Sequence, residues 1–163
     1  MKMTFAAVAF ALMTGTAHAE VKVGDKFVEL DAKTAKGKNF HLKDMAGKWV
    51  VFTFGASWCQ PCHKELPAWD KIAPKFAGKA LFVAININDK QQEGQDFLDS
   101  LKLKHMFPVF MPQETSEALK SYDPEHMPST FVIDPNGVVQ EIHLGFDKGD
   151  DDKLAKRLGE LIK

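Results

Sequence analysis

The run Trp49-Val50-Val51-Phe52-Thr53-Phe54-Gly55-Ala56-Ser57-Trp58-Cys59-Gln60-Pro61-Cys62 decides how the rest of the chain is read. Its first six residues form a nearly continuous apolar stretch, bounded by Gly47 and Gly55. Such a stretch predicts a strand buried on both faces. A helix is predicted from Gln60 to Phe76, so the two cysteines fall where a buried strand gives way to a helix. The first turn of a helix carries unbonded N–H groups and the positive end of the macrodipole. A thiolate is favoured there, which makes Cys59 the nucleophile and Cys62, one turn on, the resolving thiol. Pro61 fits because a residue in the first turn need not donate its N–H.

Cys59 and Cys62 are the chain's two cysteines. A disulfide between positions three apart closes almost the smallest loop available and would stabilise little. The pair therefore reads as chemical, and a CxxC that follows a strand in a βαβ setting reads as a redox motif.

Outward from this centre, Phe27 to Leu30 and Asn39 to Leu42 predict a hairpin joined through Lys33 to Lys38. Leu81 to Ile87 predicts a second buried strand, Gln92 to Leu101 a helix, and Val109 to Met111 a brief extended piece between two prolines. A short helix is predicted over Glu114 to Tyr122. Thr130 to Ile133 and Val138 to His143 flank the turn Asp134-Pro135-Asn136-Gly137, and Asp150 to Ile162 closes the chain as an amphipathic helix. This order predicts an α/β fold: a mixed central sheet with helices on both faces and an N-terminal β-hairpin extension.

The 163 residues fit one domain, with 45% hydrophobic and 26% charged residues, as in a soluble chain with a core. A net charge of −1 gives no reason to expect nucleic acid or an anionic membrane as partner. Residues 1–19 read as a signal peptide: Lys2 is basic, Phe5 to Met13 is apolar, and Ala17-His18-Ala19 is a cleavage site. Nine apolar residues are too few for a helix across a ~30 Å hydrocarbon core. The expectation is an exported, periplasmic protein whose folded domain spans 20–163.

The segment Gly55-Ala56-Ser57-Trp58-Cys59-Gln60-Pro61-Cys62 with Lys64-Glu65-Leu66-Pro67 resembles the active-site segment of the periplasmic thioredoxin-like proteins of TlpA/ResA type. Val23-Gly24-Asp25 and Met127-Pro128-Ser129-Thr130-Phe131-Val132-Ile133-Asp134 match the same group. The resemblance implies a thioredoxin-like fold and a thiol–disulfide oxidoreductase carrying a Cys59–Cys62 disulfide. It implies that Pro128 is a cis-proline beside that disulfide, exposing the backbone of Met127 for pairing with substrate. Trp58, Gln60 and Pro61 would border the same groove. It also implies a protein disulfide as substrate, as in cytochrome c maturation or metal-site assembly. A membrane thiol transporter would be the electron donor. Proline between the cysteines, with no histidine there, resembles the reducing members. A monomer is expected, with no cofactor and no metal.

One position departs from the cytoplasmic-type thioredoxins, which carry a buried acid six residues before the first cysteine. That position here is Thr53, which cannot accept a proton as a carboxylate does. Glu65 is the candidate replacement. On a helical wheel Glu65, Cys62, Trp69, Ile72, Ala73 and Phe76 share a stripe about 100° wide, while Lys64, Lys71 and Lys75 lie opposite. A carboxyl on that face is desolvated and placed to exchange a proton with Cys62. Pro67 is expected to kink the helix.

Two other readings compete. Cys59-Gln60-Pro61-Cys62-His63 is also the attachment string for c-type haem, although this chain predicts several strands and cytochrome c domains are mainly helical. Cys59 and Cys62 with His63, His126 and Met127 offer soft ligands for copper delivery. His63 otherwise reads as a surface residue that modestly supports a nearby thiolate.

Overall fold

A computed structural model describes residues 20–122 and 126–163. The strands are β1 (Ala32–Lys33), β2 (Asn39–Phe40), β3 (Trp49–Gly55), β4 (Ala80–Asn86), β5 (Met106–Phe110), β6 (Ser129–Ile133) and β7 (Val139–Leu144). The α-helices are α1 (Cys62–Ile72), α2 (Gln91–Leu101) and α3 (Asp150–Leu161). One sheet takes all seven strands in the order β2-β1-β5-β4-β3-β6-β7. The β3–β4 and β4–β5 pairs are parallel, whereas β6 runs antiparallel to β3 and to β7. This is the mixed sheet that the element order predicts, and its chain path is thioredoxin-like.

Central β3 is apolar toward both faces. Val50, Phe52 and Phe54 point into one core, where Phe131 stacks on Phe52 and meets Phe54 edge-on, and Tyr122 packs edge-on against Phe52 and tilted against Phe54. Val51 faces the second core, formed by Leu66 and Trp69 of α1, Phe97 and Leu98 of α2, and Leu154 and Leu158 of α3. α1 and α2 share this face because they form the successive crossovers of the parallel pairs β3–β4 and β4–β5, laid down in one direction; α3 follows β7 and packs beside α1 on the same side. The opposite face carries the 3-10 turn Ala118–Ser121, whose Leu119 is buried, and the incoming N-terminal segment.

Four predicted elements shift. Phe27 to Leu30 is no strand; the hairpin pairs Ala32–Lys33 with Asn39–Phe40 instead. The Glu29 carboxylate accepts the N–H groups of Leu30, Leu42 and Lys43, which takes the local backbone out of a ladder. Lys26 meanwhile bridges to Val138, so the segment runs from the β7 edge toward the β1–β2 hairpin at the other end of the sheet.

The expected helix over Glu114 to Tyr122 shrinks to its last turn. Ser116 bonds to Asp31 and Glu114 N–H to Asp89, side-chain partners that compete with helical bonding. The extended piece at Val109 lengthens backward into β5 and runs through Pro108. The proline is tolerated because the outer neighbour β1 pairs with this strand at Phe110.

The helix predicted from Gln60 starts at Cys62, and from Ala73 it tightens into a 3-10 turn ending at Phe76. Its stripe keeps phase across Pro67: Cys62, Glu65, Trp69, Ile72, Ala73 and Phe76 are all buried, while Lys64, Lys71 and Lys75 are exposed. The expected signal peptide, 1–19, lies outside the described residues.

Candidate active site

Three segments converge at the C-terminal end of β3. The first is the turn that leaves β3 and carries Trp58 and Cys59. Ser57, at its start, is held at three polar atoms: Asn88 Oδ1 accepts its N–H (3.0 Å), Asn88 Nδ2 donates to its hydroxyl (2.7 Å), and His63 Nε2 meets its carbonyl (3.0 Å). Asn88 is in turn bonded by Asn86 Nδ2 at 2.9 Å, and both amides are buried at the end of β4. The turn is therefore tied to the sheet. A carbonyl only accepts, so His63 donates through Nε2.

The second segment is the start of α1. Cys59 and Cys62 form a disulfide, with Cα atoms 5.4 Å apart. Cys59 precedes the helix rather than lying in its first turn, and its carbonyl accepts the Cys62 N–H at 3.1 Å. The N–H groups of His63 and Lys64 are likewise bonded, to Gln60 and Pro61. The helix's positive end thus faces Cys59, but those N–H groups are engaged in the turn, which corrects the expectation of unbonded donors beside the sulfur. Cys59 keeps 5% exposure and Cys62 none. Gln60, Pro61 and Trp58 are exposed, Trp58 at 55%.

The third segment enters β6. Met127–Pro128 is a cis peptide bond. Phe54 lies opposite Ser129 in the β3–β6 ladder, which sets Pro128 beside the start of the Cys59 turn. Met127 is half-buried against the core cluster that includes both cysteines. Gly145 N–H bonds the Pro128 carbonyl at 2.8 Å, closing the loop from the β7 side.

Behind the disulfide, Glu65 has no exposed surface. Thr53 Oγ1 donates to its Oε2 at 2.8 Å and Thr130 Oγ1 to its Oε1 at 2.9 Å. The Trp69 indole N–H donates to Thr130 Oγ1 at 2.9 Å. Burial outweighs these bonds and pushes the Glu65 carboxyl up to about 8, against 4.5 for an ordinary Glu; the nearby Asp150 carboxylate adds to the rise. A carboxyl that titrates near neutrality inside a dry core is equipped to carry a proton.

A CxxC disulfide, a cis-proline and a buried acid thus meet in one place. The AhpC/TSA family matches residues 23–142. The chain belongs to that family. Relatives named thiol-disulfide oxidoreductase match most of its length, and this chain is an enzyme of that class. The thiol-disulfide oxidoreductase ResA of Bacillus thuringiensis subsp. konkukian is 32% identical over 161 residues, covering 96% of this chain and 87% of that one. The thioredoxin-like protein YneN of Bacillus subtilis is 31% identical over 128 residues, 77% of this chain and 73% of that one. Among solved structures, a Chlorobium tepidum protein assigned as thiol:disulfide interchange protein DsbE superposes with a TM-score of 0.78. It is 28% identical, over 88% of this chain and all of that one.

The resemblance to the TlpA/ResA-type group is thus carried by relatives as well as by motifs. The site residues named from sequence, Trp58, Cys59, Gln60, Pro61, Cys62, Glu65, Met127 and Pro128, all map to the three segments or to the acid behind them. His126 is exposed, and His63 is turned to Ser57 and packs edge-on against Phe97. Among the described residues no group of three or more His, Cys, Asp or Glu side chains is placed to hold a metal ion.

Sequence reasoning missed Thr130, Asn86 and Asn88. Thr130 hides in a strand pattern as an ordinary β-branched residue. The two asparagines carry a fainter signal, being amides at the end of an otherwise apolar strand.

Proposed function

We propose that the protein reduces protein disulfides outside the cytoplasm by dithiol–disulfide exchange. Cys59 is the attacking thiol, Cys62 the resolving thiol, and Glu65 the proton carrier for Cys62. The observation that carries this reading is the buried, hydrogen-bonded Glu65 on the same face of α1 as the fully buried Cys62.

The Cys59 thiolate attacks one sulfur of the substrate disulfide and displaces the other as a thiolate. Cys62 then gives its proton to the Glu65 carboxylate, and the new thiolate attacks Sγ of Cys59. The second substrate sulfur leaves as a thiolate and takes up a proton. Two electrons have passed to the substrate, and the Cys59–Cys62 disulfide has formed. Because Cys62 is sealed from solvent, water is poorly placed to remove its proton, which is why a neighbouring buried base matters.

Trp58, Gln60 and Pro61 form the exposed rim against which a substrate chain lies, and Met127 offers its backbone beside cis-Pro128. Met127 would pair with an extended substrate segment as an added strand. Export by the segment 1–19, action as a monomer, and recharging by a membrane thiol transporter complete the reading. Such a recharging step is needed because each turnover leaves the enzyme oxidised.

Replacing Cys62 with Ser tests it. The variant should hold substrate proteins as mixed disulfides on Cys59, released by a reductant and absent from a Cys59→Ser, Cys62→Ser control. Failure to trap any disulfide protein from a periplasmic fraction would refute it.

A further inference from the structure

Glu65 must exist both with and without its proton, yet it and the residues it bonds, Thr53 and Thr130, have no exposed surface. An unpaired buried polar atom is destabilising, and more so where the group is charged. A surround that satisfied one protonation state alone would therefore hold the carboxyl in that state.

The hydroxyls of Thr53 and Thr130 resolve the difficulty, because each carries one proton and two acceptor positions. With Glu65 ionised, Thr53 donates to Oε2 across 2.8 Å and Thr130 to Oε1 across 2.9 Å. When Glu65 is protonated, the direction across the first contact reverses and the carboxyl donates to Thr53 Oγ1. The proton of Thr53 then has a second acceptor in reach, the main-chain carbonyl of Ser129 at 3.2 Å. Thr130 is fixed by the Trp69 indole, whose N–H occupies one acceptor position at 2.9 Å and leaves the hydroxyl proton to point at Glu65 or at Thr53 Oγ1, 2.8 Å away.

We propose that Thr53 and Thr130 are positioning residues for Glu65, Thr53 turning its hydroxyl between the Glu65 carboxylate and the Ser129 carbonyl as the proton comes and goes. The inference rests on the reading of Glu65 as the proton carrier. It also reassigns Thr53, which stands where other thioredoxins place their acid: the position keeps a part in proton handling without being the acid. Ser129 directly follows cis-Pro128, so the same rotation links the protonation of Glu65 to the strand that borders the substrate groove.

The charged and titratable groups facing this cluster are few. α1 presents Cys62, disulfide-bonded to Cys59 of the preceding turn, β3 and β6 present the threonines, and α3 presents Asp150. That carboxylate lies 3.2 Å from His143 of β7, the residue opposite Thr130, and is bonded by Lys153. Because Asp150 and His143 stay in place in threonine variants, a change seen there belongs to the hydroxyls.

The test follows the Glu65 carboxyl itself, by 13C chemical shift against pH in the oxidised protein labelled at glutamate Cδ. Thr53→Val removes the donor to the ionised form and the acceptor of the protonated form; the charge-assisted bond is the stronger of the two, so the midpoint should rise, by about one pH unit. Thr53→Ser, which keeps the hydroxyl, should restore it to within about 0.3 units on the same reasoning. Thr53→Ala removes the hydroxyl without filling the space and should behave as Val does. An unchanged midpoint in both Val and Ala, or a Ser variant that shifts as far as they do, would overturn the proposal. The readout is separate from the parent reading: a shifted Glu65 midpoint sustains the hydroxyl clamp even if Glu65→Gln leaves the thiols unmoved.

Discussion

At Glu65 two opposing effects meet, and their balance fixes how stability depends on pH. Burial disfavours the carboxylate, the threonine hydroxyls favour it, and burial wins, raising the carboxyl from 4.5 to about 8. Below pH 4.5 the side chain is protonated in both folded and unfolded chains and contributes no slope. Between 4.5 and about 8 the unfolded chain has lost the proton that the folded chain keeps, so stability falls as pH rises. Above about 8 the loss is complete, on the order of 5 kcal/mol at most. Glu65→Gln removes that slope. Denaturant midpoints of the two proteins should diverge steadily from pH 5 to 8, with the Gln variant gaining; parallel curves would contradict it.

That Glu65 faces the core was legible from the spacing of Cys62, Trp69, Ile72 and Phe76, since a helix repeats at 3.6 residues. Its partners were not. Thr53 and Thr130 are 77 positions apart and meet through the β3–β6 register, which a single sequence does not encode locally.

At the level of elements, the turn that carries Cys59 is braced from β4 and α2. Gly94 of α2 packs on Asn86 so closely that a Cβ there would lie 2.0 Å from Asn86 Oδ1. Gly94→Ala would gain about 1 kcal/mol of helix propensity. The clash with a buried, hydrogen-bonded amide outweighs that, for a net loss of about 1–3 kcal/mol. It should also disturb the Asn86–Asn88–Ser57 chain and slow disulfide exchange by more than the stability loss alone explains. Thermal unfolding together with an insulin-reduction rate checks both halves.

The strongly periodic or wholly apolar elements, β3, β4, α1, α2 and α3, were readable because burial pattern and secondary structure agree. Phe27 to Leu30 and Glu114 to Tyr122 misled for the opposite reason. Their backbones bond to the side chains of Glu29 and Asp89, interactions that leave no periodic trace.

Across the whole molecule, the sheet separates the two cores and delivers the chemistry to one end. The turn after β3 and the loop before β6 leave neighbouring strands at the same edge of the fold, so Cys59 and cis-Pro128 are brought together by topology rather than by sequence proximity. The disulfide contributes little to this architecture. Closing a four-residue loop limits the unfolded chain by only about 2 kcal/mol. Reduction should leave far-ultraviolet circular dichroism unchanged and lower stability by no more than about that amount; collapse of the fold on reduction would mark the pair as structural. The mixed sheet was foreseeable from the order of strands and helices. Its hairpin register was not, because the Glu29 carboxylate takes up the nearby backbone N–H groups, and the gathering of all three α-helices on one face was not, because it depends on the strand order and on where α3 docks.

The proton partnership between Glu65 and Cys62 is best examined by titrating both thiols of the reduced protein, wild type against Glu65→Gln. Losing the neighbouring carboxylate should lower the apparent titration of Cys62 by about one unit or more, while the Cys59 step moves less. Superimposable curves for the two proteins would show that Glu65 takes no part at the resolving sulfur.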